Sequence, residues 1–221
     1  MPILEDIKKY EKQKSEKSEI DFSDFCKQRK TECMALDNNE VLRKNFLINS
    51  GGKCPDFWCQ KDEQKIFVEI KYFANLTNAA REKRINELEG GQALFFSAVP
   101  ELKRVLKHDL DDATKKFKNI NAEYNCLPRI LLTCHDYKIL EGRAESIFLG
   151  YPFTYPNKKR YVEPGNNFHY HNQEEKGLFH KRKTISAVIY WNHSTCCFNG
   201  IANLDADIKF SEKEFNLFFR N

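Results

Sequence analysis

Two carboxylates and one amine are spaced for work on phosphate esters: Asp56, preceded by Pro55, and then Glu69-Ile70-Lys71. Side chains of a strand alternate between its faces. On a strand, Glu69 and Lys71 therefore project from one side, and Ile66, Val68, Ile70 and Tyr72 occupy the other. An antiparallel hairpin turning at Lys61–Gln64 brings Asp56 beside Glu69. Pro55 is tolerated at the start of such a strand, where its missing N–H is not needed by the ladder. Two carboxylates in one cleft offer hard oxygen ligands, which select magnesium or manganese over zinc. A cation held there lowers the pKa of a bound water and neutralises charge on phosphate oxygens. Lys71 can position or deprotonate that water, or stabilise the transition state; an arginine could not serve as the base.

Other reactive side chains are less organised. His169-Tyr170-His171 can place two imidazoles on one strand face, with His180 nearby, but no third ligand is evident, and surface or hydrogen-bonding roles are expected. His193 lies close to Cys196 and Cys197 in a turn-like stretch. The eight cysteines are scattered, and none forms a C-x-x-C pair. They read as reduced structural thiols, and zinc binding through them is not expected.

The elements that must position Asp56, Glu69 and Lys71 follow from periodicity. Residues 3–17 carry Ile3, Leu4, Ile7 and Tyr10 at helical spacing, a peripheral helix with a charged outer face. Ser23 suits an N-cap and opens a second helix to about Leu36, where Asp37-Asn38-Asn39 stops it. Glu32 and Arg29 fall within that helix's apolar stripe, as a mutual ion pair, at a stripe edge that reaches solvent, or with Glu32 aimed inward. Three strand-like segments follow, 41–48, 54–59 and 66–73, separated by Asn49-Ser50-Gly51-Gly52 and by Lys61-Asp62-Glu63, an antiparallel meander. Residues 75–89 are polar and helical in composition, ending at Gly90-Gly91. Pro100 suits the first position of a long helix to about Ile120, with Asp109 and Lys116 inside its apolar stripe. Residues 127–133 and 184–191 read as buried strands, 198–204 as a partner for the latter, and 150–183 as loop.

These residues resemble the PD-(D/E)xK, or restriction-endonuclease-like, nuclease superfamily. The resemblance covers roughly the middle half of the chain, from Ser23 to Thr133. It implies an α/β fold, an α-β-β-β-α-β core with a mixed central sheet flanked by helices. Residues 1–221 then form a single domain, with 1–20 a peripheral helix, 74–99 an insertion and 135–221 a β-rich C-terminal extension of the sheet. The resemblance also implies that Asp56, Glu69, Ile70 and a helix carboxylate, Glu32 with Glu40 as alternative, form the metal set. Lys71 would assist the nucleophile. Lys116, in Ala113-Thr114-Lys115-Lys116-Phe117, stands where many members carry glutamine. The expected activity is magnesium-dependent hydrolysis of nucleic acid, DNA ahead of RNA, with manganese able to substitute. A catalytically silent nucleic-acid-binding or scaffold protein of the same fold is the alternative.

Composition agrees with a packed domain. Of 221 residues, 41% are apolar and 31% charged, enough for a real core. The net charge of +4 permits a nucleic-acid partner without requiring one. Lys158, Lys159 and Arg160, then Lys181, Arg182 and Lys183, flank a stretch bearing Tyr155, Tyr161, Phe168 and Tyr170. They can serve as phosphate and base contacts or as ordinary solvated loop charge. No apolar run is long enough to span a membrane. No leader is evident at Met1–Asp6, and the thiols suit a reducing interior, so a cytoplasmic location is expected. Cutting both strands of a duplex would favour a homodimer.

Overall fold

The computed structural model describes residues 2–73, 93–135, 147–148, 168–170, 177–180, 182–193 and 195–220. Its frame is a seven-stranded mixed sheet in the order β1-β2-β3-β4-β6-β7-β5. The strands are β1 (Glu32–Ala35), β2 (Phe57–Lys61), β3 (Gln64–Tyr72), β4 (Arg129–His135), β5 (Phe168–Tyr170), β6 (Ala187–Asn192) and β7 (Cys197–Ala202). β1, β2 and β3 pair antiparallel; β4 joins β3 in parallel and β6 joins β4 likewise. β7 returns antiparallel to β6, and β5 lies parallel to β7 at the edge.

The α-helices named among the described residues are α1 (Pro2–Gln28), α2 (Glu40–Phe46), α3 (Ala93–Phe117) and α4 (Glu212–Phe219), and a 3-10 turn spans Ala122–Tyr124. Both faces of the sheet are covered. On one, Phe67, Leu131, Val188 and Tyr190 pack with Leu106, Leu110, Ala113 and Phe117 of α3 and Phe46 of α2. On the other, Ile66, Val68, Ile70, Ile130, Leu132 and Ile189 pack with Phe22 and Cys26 of α1 and Phe215, Phe218 and Phe219 of α4. The central strands β4 and β6 are accordingly buried along almost their whole length.

The first 36 residues depart from expectation. Instead of two helices broken before Ser23, α1 runs unbroken, because no glycine or proline interrupts residues 3–28. It then stops earlier than Leu36. Lys30 adopts a left-handed conformation at φ 55°, Thr31 N–H donates to the Cys26 carbonyl at 2.9 Å, and Lys30 N–H to that of Lys27 at 3.1 Å. That is a Schellman stop built on lysine where glycine is usual. Glu32 therefore begins strand β1, exposed and paired with Gln60, not lying on a helix.

Residues 41–48 also change class. Asn39 does not end a helix; its side chain accepts from Leu42 N–H at 3.1 Å and starts α2. Val41 and Ile48, which give this stretch its strand-like look, are each 68% exposed. Arg43 of α2 fastens the following loop by donating to the carbonyls of Ser50 at 2.7 Å and Gly52 at 2.6 Å. The meander survives with β1, β2 and β3 as its strands. Its second turn is at Asp62, φ 52°.

α3 begins at Ala93 and carries Pro100 in its interior, not at its first position, since the apolar run 93–99 is itself helical. Of the expected insertion at 74–99, residues 74–92 lie outside the described residues, and 93–99 are the start of α3. β6 and β7 form the expected pair, but the C-terminal extension is not all sheet. Ser211 and Glu214 make a capping box, with Glu214 N–H donating to Ser211 Oγ at 3.3 Å and Ser211 N–H to Glu214 Oε2 at 2.7 Å, and α4 follows. No helix of the described residues is long and apolar enough to cross a membrane.

Candidate metal and active site

β2 and β3 are in register with Phe57 opposite Val68, so Asp56, the residue before β2, comes level with Glu69. Phe57 and Val68 face α1, and one step along each strand Asp56 and Glu69 face α3. Asp56 Oδ2 accepts the Ile70 N–H at 2.6 Å, which fixes the carboxylate against β3. Ile70's side chain is buried on the opposite face, so this residue can reach the site through its main chain alone.

The amines arrive from two directions. Lys71, two residues along β3 from Glu69, places Nζ 2.9 Å from Glu69 Oε1 and 2.8 Å from Asp112 Oδ2 of α3. Lys116, one turn beyond Asp112, lies 2.7 Å from Glu69 Oε1 and 3.1 Å from Asp56 Oδ1. Lys53 completes the ring at 2.8 Å from Asp112 Oδ1. Glu69 is 0% exposed. The ammonium groups reach its Oε1 as ion-pair contacts away from hydrogen-bond alignment, and its Oε2 has no hydrogen-bond partner among the described residues. A buried, orphaned carboxylate oxygen is costly unless another cation takes it.

Burial and carboxylate crowding show in the titration behaviour. Burial, then the Asp56 charge, push the Glu69 carboxyl up to about 8 despite Lys116 and Lys71. Burial also raises Asp56 against the opposing pull of Lys116 and the Ile70 N–H. On α1, Glu19 is pushed up to about 7 by burial and by Asp56 and Asp37. Asp109, on α3, is raised by burial. Burial opposes ionisation of Asp112 too, but Lys53 and Lys71 outweigh it and hold that carboxyl well below its ordinary range. Burial would lower Lys71 and Lys116, yet the carboxylates overcome it and both amines are raised. As assembled, Lys71 keeps its proton. It is a cation here, not a base.

Glu19, Asp56, Glu69, Asp109 and Asp112 thus stand against Lys53, Lys71 and Lys116. Closely set carboxyl groups, hard oxygen donors and one unpartnered buried oxygen fit a hard dication and do not fit a soft one.

The structure brings together Asp56, Glu69, Lys71 and Lys116 as the spacing predicts. It excludes Glu32, which points to solvent from the edge strand β1, and Glu40, exposed at the start of α2. On α1, Glu19 is the carboxyl that senses the Asp56 charge; reading residues 3–17 and 23–36 as separate helices leaves it between them. On a continuous helix, Glu19, Phe22 and Cys26 share one face. Asp112 was also missed, although Asp109, Asp112 and Lys116 follow the i, i+3, i+7 pattern of one helix side.

Of the basic clusters, Lys158, Lys159, Arg160 and Lys181 lie outside the described residues, as does His171. Arg182 is ion-paired with Asp111 of α3, and Lys183 is exposed. Comparison of the chain with family models, curated proteins and solved structures found no match.

Proposed function

We propose that this chain is a magnesium-dependent nuclease of the PD-(D/E)xK type, with DNA the substrate that the resemblance favours. The observation that carries the reading is the buried pair Asp56 and Glu69 on adjacent strands, with one Glu69 oxygen unpartnered and Lys71 alongside. The element order α1-β1-β2-β3-α3-β4, with α2 added between β1 and β2, supports the restriction-endonuclease-like core.

In this reading Asp56, Glu69 and the Ile70 main chain hold the cation, and Glu19 takes the part assigned to Glu32. When bound, magnesium (or manganese in its place) acidifies a coordinated water and offsets charge on the scissile phosphate. The chain's own residues do the rest. The Ile70 N–H fixes Asp56. Protonated Lys71 stabilises negative charge developing on phosphate oxygens, an electrostatic task that a desolvated ammonium performs without reorganisation. Asp112 aims Lys71 from the far side. Lys116 balances the carboxylates until the cation enters.

One observation favours a second reading, a catalytically silent nucleic-acid-binding protein of the same fold. Lys116 Nζ bridges Asp56 and Glu69, the place where a cation would bind. Incubation of the purified chain with plasmid DNA separates the two. The nuclease reading expects cleavage with magnesium or manganese, none in chelator, and at least a hundredfold loss in Asp56→Ala and in Lys71→Ala. Cleavage in manganese undiminished by Lys71→Ala contradicts the assigned mechanism. DNA binding without cleavage under any divalent ion supports the silent reading.

A further inference from the structure

Cys26, Cys33 and Cys59 come from three different elements, α1, β1 and β2, yet their sulfurs all lie within 4.8 Å of one another. Cys33 and Cys59 are directly opposite in the β1–β2 register, and Cys59 Sγ–H donates to Cys33 Sγ at 3.5 Å. Cys26 and Cys59 are buried at 3% and 0% exposure, and Cys33 is half-buried on the edge strand. All three stand on the α1 side of the sheet, away from the Asp56–Glu69 face. We propose that this cluster is a second metal site, for a soft thiophilic cation, monovalent copper above zinc. It does not rest on the nuclease reading.

The spacing argues for a single ion. With a metal–sulfur bond of about 2.3 Å, three ligands around one centre have their sulfurs about 3.8–4.0 Å apart. The observed cluster needs only small side-chain adjustment to reach that. Thiolates select soft ions, and the hard-oxygen site on the other face selects the opposite class, so the two do not compete. Among the described residues no histidine or carboxylate joins the three sulfurs. A three-sulfur set without a fourth protein ligand suits monovalent copper, whereas zinc would complete its tetrahedron with water. The partly exposed Cys33 gives an ion its way in from the sheet edge.

The test uses the full chain with the exposed thiols Cys126, Cys196 and Cys197 changed to serine, so that they cannot scavenge metal. Reduced protein is titrated anaerobically with monovalent copper against a chromophoric copper chelator, and separately with zinc against a zinc indicator. The expected result is one equivalent of copper held against the chelator, a sulfur-to-metal absorption band, and protection of Cys26, Cys33 and Cys59 from alkylation. Cys33→Ser and Cys33→Ala should each lower copper affinity at least a hundredfold while the melting temperature of the metal-free protein shows the fold intact. One equivalent of zinc with no tight copper keeps the site and changes its ion. Absence of stoichiometric binding of either ion, or binding unchanged by both Cys33 variants, overturns the proposal.

Discussion

Glu69 is a carboxylate that folding has made hard to ionise, and this has a pH signature. Its folded pKa of about 8 lies above the ordinary value of 4.5, and Glu19, at about 7, and Asp56 are displaced the same way. Between those limits the native state binds more protons than the unfolded chain, so these groups make stability fall as pH rises from about 4.5 to about 8. Lys116, raised above 10.5, contributes no slope in that window. The melting temperature of metal-free protein should therefore decline across it, and Glu69→Gln should flatten the decline. Magnesium should restore stability most at the upper end, because cation and protons compete for the same oxygens. A rising profile without metal would contradict this. Lys116→Gln, which removes the ammonium bridging the carboxylates, should tighten magnesium binding about tenfold, measured by thermal shift; weaker binding would make Lys116 a supporter of the cation, not its competitor. Asp56, Glu69 and Lys71 were legible because strand alternation and a short hairpin leave little freedom in where they point. Glu19 was not, since its place depends on a helix boundary that the local sequence misrepresents.

α1 carries Glu19 and Cys26 on one face, and its anchor between them is Phe22. That ring is 2% exposed and meets Phe57 at 5.5 Å and Phe219 at 6.5 Å between centroids. Phe22→Ala should cost about 3–5 kcal/mol in urea unfolding, the range for a large aromatic deleted from a closed core. Ser211→Ala removes one half of the α4 capping box and should cost about 1 kcal/mol. Loss below about 0.3 kcal/mol would show α4 held by its phenylalanines alone. Sequence periodicity located β4 and β6 well, because a short apolar run fits a buried strand and little else. It failed at Lys30, where a lysine takes the left-handed position glycine normally marks, and at Asn39, where a residue common to turns caps a helix instead. Helix α4 escaped for a different reason: its phenylalanines also suit a strand, and only the Ser211-x-x-Glu214 spacing distinguishes the two.

At the scale of the whole molecule, the proposed nuclease, with an acidic and partly buried centre, would attract a polyanion through charge placed elsewhere. Arg182 is engaged by Asp111, so Lys158, Lys159 and Arg160 are the better candidates for backbone contact. Changing those three to alanine should weaken DNA binding without altering sequence preference. It should also reduce the salt slope of log K by about 2.7, roughly 0.9 per lost phosphate contact. An unchanged slope would place the DNA path elsewhere. The central claim is that Asp56 and Glu69 share a hard cation, and calorimetric titration of manganese into the metal-free chain at pH 8 tests it most directly. Saturable binding in the wild type, lost in the isosteric Asp56→Asn/Glu69→Gln double variant with its fold intact, is the predicted result. Equal affinity in the two proteins would contradict it.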